Sequence, residues 1–333
     1  MNQNFEHLVI GGLQRSGTSL LRAILGSHSE ISIYQWDLVL LTKFSKIYSD
    51  KVLNTNTRKE LISDVINHSK QKAADTNLHE NDFKHLINLE SSSPDFFFEF
   101  YSNFLSLYLK KTKGSYVGLK TPENEFFAPI IYKNFPKTKF IQVIRNPLDI
   151  AVSLKRIKSD VWGGSVNYFS HIQKWKKSVE RSKINSILYP NQYLTIKYEE
   201  LISNPSEIVI KICKFLNVDF QEEMLNMKDH PGWKGSNSSF QNENKEYVFK
   251  TESINRYQDL LPEHIQSYYF YFLYENLKNF GYVSKQVKIP YIKVIHYNAT
   301  CTINNIKERL MDIILRSKLY QPLKLIRRKY IRN

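Results

Sequence analysis

Residues 7–26 constrain the fold more than any other part of this 333-residue sequence. The apolar run HLVIG at residues 7–11 stops at glycines, and helical composition follows from Ser19 to Gly26. A buried strand that turns through a glycine loop into a helix is typical of proteins with a parallel sheet. The segment therefore predicts an α/β fold.

Three later apolar runs extend this prediction, at Ser115–Leu119, Lys139–Ile144 and Tyr193–Lys197. Each is followed by turn or helix signals, so we expect a mostly parallel central sheet flanked by helices. The stretch from about 37 to 113 is helical in pattern, and we interpret it as an insert that shapes a substrate pocket or serves as scaffold. Its predicted helices are Asp37–Tyr48, Arg58–Lys72 and Asp95–Lys110. The domain is expected to span residues 1–283.

Cysteine content and hydropathy exclude several classes of protein from our expectation. The two cysteines, Cys213 and Cys301, lie far apart, and no group of ligands has metal-like spacing, so neither a disulfide framework nor a metal site is expected. The N-terminal sequence lacks the pattern of a signal peptide, and no apolar stretch reaches the ~18 residues of a membrane span. We therefore expect a soluble, cytoplasmic protein.

The positive charge is concentrated in a C-terminal appendage, residues 284–333. The whole chain has a net charge of +15, and the appendage contributes +10 of it, from twelve Lys or Arg against Glu308 and Asp312. Its helical pattern runs from Ile303 to Arg316. Three interpretations stay open: a helix packed on the domain, an anchor on an anionic membrane, and a surface that collects acidic glycans. The apolar positions that packing would bury are Ile303, Ile306, Leu310, Ile313 and Ile314.

The glycine loop, Gly12 to Ser19, predicts a phosphate site. Glycines let the backbone fold closely around an anion, and the amides of Ser16 and Gly17 lie at the start of the following helix, where they point at it. Arg15 adds a planar cation, and Thr18 and Ser19 add hydroxyl donors. The spacing is that of a Walker A loop, but Thr18 stands where the lysine of that motif reaches the β- and γ-phosphates.

A second anion site is predicted after the strand at Lys139–Ile144. Arg145 ends the strand, Asn146 suits a helix cap, and Pro147 suits the first helical position. The new helix offers its N-terminus to an anion, and Ser153 lies one to two turns further on.

The two motifs, in this order, resemble sulfotransferases that use 3'-phosphoadenosine-5'-phosphosulfate (PAPS). The form R-S-G-T-S at Arg15–Ser19 is similar to that of the bacterial, tyrosylprotein and Golgi carbohydrate branches. The resemblance covers most of residues 7–282 and includes the segments GLKTP at 118–122 and YEEL at 198–201. It implies the P-loop NTPase-like fold of that family and PAPS as co-substrate, without a metal.

The resemblance also assigns binding roles. The loop Arg15–Ser19 would hold the 5'-phosphosulfate, and Arg145 with Ser153 would hold the 3'-phosphate. Tyr198 becomes a candidate contact near the adenosine. Relatives place a cofactor-covering loop where this chain has Lys234 and Ser239, and a basic residue where it has Arg256, which makes these three residues further candidates.

Three residues are the catalytic candidates. Arg15 would stabilise charge on the transferring group, and Lys120 holds the strand-end lysine position of the family and could face the sulfate. The tyrosylprotein enzymes' glutamate falls on Trp36 in an ungapped match, so its neighbour Asp37 is our first choice of general base. Pro122 replaces the histidine of the cytosolic enzymes and cannot act as a base.

Two carboxylates are the reserve bases, Glu123 and Glu125. Because the base position of the tyrosylprotein branch is not kept, we expect a small-molecule or glycan acceptor, namely a glycan, a lipid-linked saccharide or a small alcohol. The acceptor group would be a hydroxyl or an amine. No nucleic-acid partner is expected.

Two other functions compete with this interpretation. A nucleotide-dependent phosphotransferase shares the fold, but Thr18 in place of the Walker lysine and the Arg145/Ser153 pair argue against it. A non-catalytic module that binds anionic surfaces would make the phosphate loop structural and would place the function in the basic tail.

Overall fold

The computed structural model describes residues 5–34, 37–49, 52–72, 79–87, 96–108, 115–157, 165–226, 249, 251–282 and 286–317. The chain divides into two compact units. The first comprises residues 1–38 and 105–290, and the second comprises 39–104 and 291–333. The second unit therefore joins the central part of the predicted insert to the C-terminal appendage. The division at residue 283 into a domain and an appendage stays a prediction.

The first unit is built on a parallel sheet. Its described strands are β1 (Glu6–Gly11), β2 (Ile31–Ile33), β3 (Tyr116–Lys120), β4 (Lys139–Ile144) and β5 (Tyr193–Lys197). They lie in the order β2-β3-β1-β4-β5, and every pair is parallel. The predicted α/β class with a mostly parallel sheet is confirmed.

Helices connect and cover the strands. In the described ranges the α-helices are α1 (Thr18–Gly26), α2 (Ser45–Tyr48), α3 (Thr55–Lys72), α4 (Lys84–Ile87), α5 (Phe96–Tyr108), α6 (Ala128–Asn134), α7 (Pro147–Ile157), α8 (Tyr168–Leu188), α9 (Tyr198–Ser203), α10 (Pro205–Leu216), α11 (Tyr257–Leu260), α12 (Glu263–Asn279) and α13 (Tyr291–Arg316). Single helical turns of other types occupy Leu40–Phe44, Glu80–Phe83, Asn124–Phe127, Glu222–Met224 and Thr251–Ser253.

The strand order follows from what the strands can bury. The side chains of Leu8, Val9 and Ile10 in β1 are completely buried, as a central strand covered on both faces requires. A Cβ on Gly118 would lie 2.3 Å from the Leu8 carbonyl oxygen, so β3 pairs with β1 only because this residue is glycine. In the sheet β1 lies between β3 and β4, so the carboxyl ends of these three parallel strands meet at one edge.

Most predicted boundaries lie within a few residues of the observed ones, with three exceptions. Strand β2 was not predicted, because ISI at 31–33 is too short to show a period. The helix predicted to begin at Asp37 begins as a π-type turn at Leu40. The helix predicted from Ile303 starts about three turns earlier, at Tyr291.

The second unit is helical. α13 packs against α2, and Lys46 of α2 bonds Asp312 of α13 at 2.7 Å. Four of the apolar positions that a packed tail would bury, Ile303, Ile306, Leu310 and Ile313, are instead exposed by 51–64%. The helix therefore packs through other residues, such as Leu315, and the prediction that these four positions would be buried is wrong. No helix in the described ranges is both long enough and apolar enough to cross a bilayer.

A buried histidine makes the first unit sensitive to acid. In α8, Nδ1 of His171 lies 2.6 Å from the Tyr269 hydroxyl of α12. Burial, followed by the charge of Lys174, lowers the pKa of His171 from 6.5 to about 3. Between these values the unfolded chain binds a proton that the folded chain does not, so this residue's contribution to stability is lost as the pH falls.

We expect His171→Gln to reduce the acid sensitivity of the fold. Glutamine keeps a hydrogen-bonding group for Tyr269 but does not titrate, so the free energy of unfolding should fall less steeply between pH 6 and pH 4. The expected difference in slope is about 1.4 kcal/mol per pH unit. Denaturant unfolding at several pH values measures it, and equal slopes in the two proteins would contradict the assignment.

Candidate functional site

The loop between β1 and α1 is shaped by residues with positive φ. Gly12 has φ 126°, Arg15 has φ 74° and Gly17 has φ 101°. A Cβ on Gly12 would lie 2.4 Å from the Val143 carbonyl oxygen, and one on Gly17 would lie 2.4 Å from the Tyr198 ring. Both glycines are therefore required, by backbone conformation and by space. Gly17 also caps α1, whose first amides have no partners within the helix.

A buried carboxylate supports this loop from below. The Gly12 amide donates to Oε2 of Glu125 at 2.8 Å, and the Ser178 hydroxyl donates to Oε1 at 2.5 Å. The Asn185 side chain donates to the Glu125 carbonyl oxygen at 3.0 Å. Burial raises the pKa of Glu125, whose side chain is fully enclosed. Glu125 was a reserve candidate for the general base, and its burial beneath the loop makes that interpretation wrong.

Glu123, the other reserve candidate for the general base, also has partners within the protein. Its carboxylate pairs with Lys174 at 2.8 Å, and its amide donates to the Gly12 carbonyl oxygen at 3.0 Å. Inside the loop, the buried Ser16 hydroxyl donates to the Leu13 carbonyl oxygen at 2.6 Å. The hydroxyl of Ser16, a predicted binding residue, therefore holds the loop together.

The two predicted anion motifs meet in space. Nε of Arg15 donates to the Ser153 hydroxyl of α7 at 2.8 Å, and the Arg145 guanidinium donates to the Arg15 carbonyl oxygen at 3.1 Å. Arg145 also donates to the Ser253 carbonyl oxygen at 2.7 Å and lies over the Tyr198 ring at 4.1 Å. The order β1-β4 brings the two motifs together, because their loops leave neighbouring strand ends.

These contacts leave strong positive charge in a partly buried place. Burial, with the charges of Arg145 and Arg256, lowers the pKa of Arg15 to about 10. Burial, then the charge of Arg145, lowers the pKa of Arg256. The buried Nε atoms of Arg145 and Arg256 have no hydrogen-bond partner among the described residues. Buried donors of this kind are normally satisfied, so the cluster has the properties of an anion site.

The sequence predicted that the N-terminus of α7 would offer its amides to an anion, but two of these amides already have partners in the protein. The Asn146 amide donates to Glu199 at 2.8 Å, and the Leu148 amide donates to the Asn146 side chain at 3.0 Å. The buried Asp149 accepts from the amides of Asn255 and Tyr257 at 2.8 and 3.1 Å. Asp149 thereby fixes the segment that carries Arg256 beside α7. The cations of the site come from side chains, and the amides of Asn146 and Leu148 are bonded within the protein.

A second pair of predicted residues lies at the end of β3. Nζ of Lys120 bonds Oδ1 of Asp37, and the Thr121 hydroxyl donates to the Leu38 carbonyl oxygen at 2.7 Å. Lys120 is 3% exposed and Asp37 is 46% exposed. Burial lowers the pKa of Lys120, and the Asp37 carboxylate opposes that shift. In this pair the lysine is buried, and the carboxylate that it holds is partly exposed to solvent.

The structure brings together most of the predicted site residues. Those in the loop and anion cluster are Arg15, Ser16, Gly17, Thr18, Ser19, Arg145, Ser153, Tyr198 and Arg256. Lys234 and Ser239 lie outside the described residues. Sequence reasoning missed Glu125 as a support, Ser253, and Asp149. The sequence did contain a signal for Asp149. An acidic residue inside a motif that is expected to bind an anion would repel that anion, so it indicates a structural role.

Among the described residues, no group of three or more His, Cys, Asp or Glu could hold a metal ion. Metal independence stays a prediction.

Two variants of Glu125 test whether its side chain supports the glycine loop. Glu125→Gln keeps an acceptor for Gly12 and offers an amide to Ser178, so the loop should persist. Glu125→Leu removes the acceptor and should lower the free energy of unfolding by about 1–3 kcal/mol. Denaturant unfolding of both variants measures this, and equal losses in the two variants would contradict the support role.

Comparisons with known proteins agree with this geometry. A family model described as "Sulfotransferase family" matches residues 7–222. A putative protein-tyrosine sulfotransferase of Caenorhabditis briggsae is 25% identical over 232 residues, which cover 68% of this chain and 70% of that protein. Protein-tyrosine sulfotransferase 1 of Danio rerio is 21% identical over 235 residues, which cover 70% of this chain and 59% of that protein.

Solved structures share the fold. The sulfotransferase domain from the curacin biosynthetic pathway matches with a TM-score of 0.54 and 20% identity, covering 84% of this chain and 99% of that one. The sulfotransferase domain from the Synechococcus PCC 7002 olefin synthase matches with a TM-score of 0.51 and 19% identity, covering 87% and 98%. Because the family model spans more than half of the sequence and the fold agrees, the chain belongs to the sulfotransferase family.

Proposed function

We propose that this sulfotransferase takes its sulfuryl group from PAPS and transfers it to a hydroxyl or amine of an acceptor. The observation that carries the proposal is the cluster of Arg15, Arg145 and Arg256. Two of these arginines have a buried Nε without a partner among the described residues. A nucleotide with phosphate groups at both its 5' and 3' positions would supply acceptors for such donors.

The residues fit this co-substrate at several points. The glycine loop Gly12–Gly17, with no room for side chains at its two glycines, would accept the 5'-phosphosulfate against the amides of α1. Arg145, Ser153 and Arg256 would hold the 3'-phosphate. The Tyr198 ring, which lies against Gly17 and under Arg145, would border the adenosine.

When bound, PAPS supplies an activated sulfuryl group whose transfer releases adenosine 3',5'-bisphosphate. The protein's contribution is position and charge. Arg15 is fixed by Ser153 at 2.8 Å, so its guanidinium is already oriented before charge develops on the leaving phosphate. Low exposure strengthens each of these electrostatic interactions.

Asp37 is the proposed general base, and Lys120 positions it. The partly exposed carboxylate can reach an acceptor, take the proton of its hydroxyl or amine, and so free an electron pair for the new bond to sulfur. Lys120 holds one carboxylate oxygen from the end of β3. Its cation also lies at the edge of the sheet where the loop begins, as a group that faces the sulfate would.

For the acceptor we propose a glycan, a lipid-linked saccharide or a small alcohol. Trp36 stands where the tyrosylprotein enzymes carry their glutamate, which is the reason to prefer these over a protein tyrosine. The named relatives are protein-tyrosine sulfotransferases, so a tyrosine peptide is the comparison that any acceptor test must include.

Nucleotide binding tests the donor. We expect adenosine 3',5'-bisphosphate to bind much more tightly than ADP in calorimetric titration, because Arg145 and Arg256 need the 3'-phosphate. Arg145→Ala should weaken binding of the bisphosphate by about 10- to 100-fold, the loss expected for charge-assisted hydrogen bonds.

Arg181→Ala is the matched control for this titration. Arg181 is an arginine of α8 whose charge acts on Tyr193, so its loss should leave binding unchanged. Equal affinity for ADP and the bisphosphate, or equal losses in the two variants, would overturn the proposed donor and favour a phosphotransferase.

Asp37→Asn tests the base. We expect turnover to fall by about 10²- to 10⁴-fold while affinity for the bisphosphate is kept, because only the proton acceptor is removed. The assay follows loss of PAPS with a sugar, a small alcohol, a phenol and a tyrosine peptide as acceptors. Asp219→Asn, at an exposed aspartate, is the control, and unchanged turnover in Asp37→Asn would remove Asp37 from the mechanism.

A further inference from the structure

Helix α13 carries an apolar stripe that faces solvent. Its side chains are 48–65% exposed, far from the burial expected of so many isoleucines in one helix. They are Ile292, Ile295, Ile303, Ile306, Leu310 and Ile313. On a helix of 3.6 residues per turn these positions fall within a sector of about 80° and extend for about 32 Å.

The opposite side of α13 makes its contacts within the second unit. Thr300 and Leu315 are the buried positions among the described residues of this helix, and Asp312 bonds Lys46 of α2. All three lie outside the sector of the stripe. The helix is therefore packed on one side and leaves a continuous apolar surface on the other, which marks an interaction site.

The charges around the stripe indicate the partner. Lys307 and Arg309 are exposed and lie about 40° outside its two edges, one on each side. Glu308 and Asp312 lie toward the opposite side of the helix. The sequence that follows, 318–333, adds six Lys or Arg and no acidic residue. An apolar stripe bordered on both sides by cations is complementary to an anionic lipid surface.

Other occupants fit these charges less well. In a second copy of the same helix, the cations that flank one stripe would lie near those that flank the other. An acidic glycan would match the cations but leave the isoleucines and Leu310 in water. A lipid surface satisfies both, since its acyl region accepts the apolar side chains and its headgroups accept the cations.

We propose that α13 binds in the plane of an anionic membrane, with Ile306 and Leu310 inserted and Lys307 and Arg309 on headgroups. This proposal is independent of the sulfuryl donor and acceptor. The predicted cytoplasmic location would be compatible with it, because the cytoplasmic leaflet carries the anionic lipids.

Vesicle flotation of the full chain tests the proposal. The protein should float with vesicles of phosphatidylcholine and phosphatidylglycerol in equal amounts, and should stay in solution with phosphatidylcholine alone. The double variant Ile306→Gln with Leu310→Gln should bind at least about tenfold more weakly, because two exposed apolar chains no longer insert. Lys307→Gln and Arg309→Gln should each weaken binding about fivefold.

Matched controls separate this site from general stickiness. Ile187→Gln with Leu188→Gln changes two exposed apolar residues of α8, and Lys176→Gln with Lys183→Gln changes two exposed cations of the same helix. Both controls should bind as the unaltered chain does. Thermal unfolding of every variant shows whether a loss reflects unfolding, and a salt series on the unaltered chain should release it from the vesicles.

Three results would overturn the proposal. One is no binding to the anionic vesicles by the unaltered chain, or binding that salt does not change. Another is a loss of binding in the control variants equal to that in the stripe variants. The third is a dimer in sedimentation that Ile306→Gln with Leu310→Gln dissociates, which would assign the stripe to a second copy.

Discussion

The position of β1 between β3 and β4 is the constraint on which the candidate site depends. Because the strands are parallel, their carboxyl ends lie at one edge, and the chain leaves that edge three times. Each departure carries a different chemical group: the glycine loop after β1, Lys120 at the end of β3, and Arg145 after β4. The close approach at Gly118 keeps β1 and β3 in this arrangement, and the enclosed Glu125 ties the loop to the chain that follows β3.

The arginine cluster places three cations close together in a partly buried site. Arg15 and Arg145 donate hydrogen bonds to protein oxygens. Two carboxylates, Asp149 and Glu199, lie close enough to interact with the charge of Arg145. Asp149 compensates part of this charge, but burial and the charge of Arg145 still lower the pKa of Arg256. Repulsion among the arginines is thus retained, and binding of a polyanion would relieve it.

The second unit presents a different use of positive charge. In the site, cations surround a loop that fits a small ligand, whereas in α13 they border a broad apolar stripe. The two surfaces belong to separate compact units, so a membrane contact through α13 need not involve the residues that we propose to bind nucleotide. The same net charge of +15 therefore serves two kinds of anionic partner in the functions that we propose.

The sequence by itself determined the fold class, four of the five strands in the described residues, and the two anion motifs. Those features are local, since glycine placement, apolar runs and helix signals are properties of neighbouring residues. Tertiary structure alone decided that Arg15 bonds Ser153, that Glu125 is enclosed beneath the loop, and that the amides of Asn146 and Leu148 are bonded within the protein. It also decided that Ile303, Ile306 and Leu310 face solvent. Each of these depends on which segments of the chain pack together. No local pattern records that, because the partners are distant in sequence: Arg15 and Ser153, for example, are 138 positions apart.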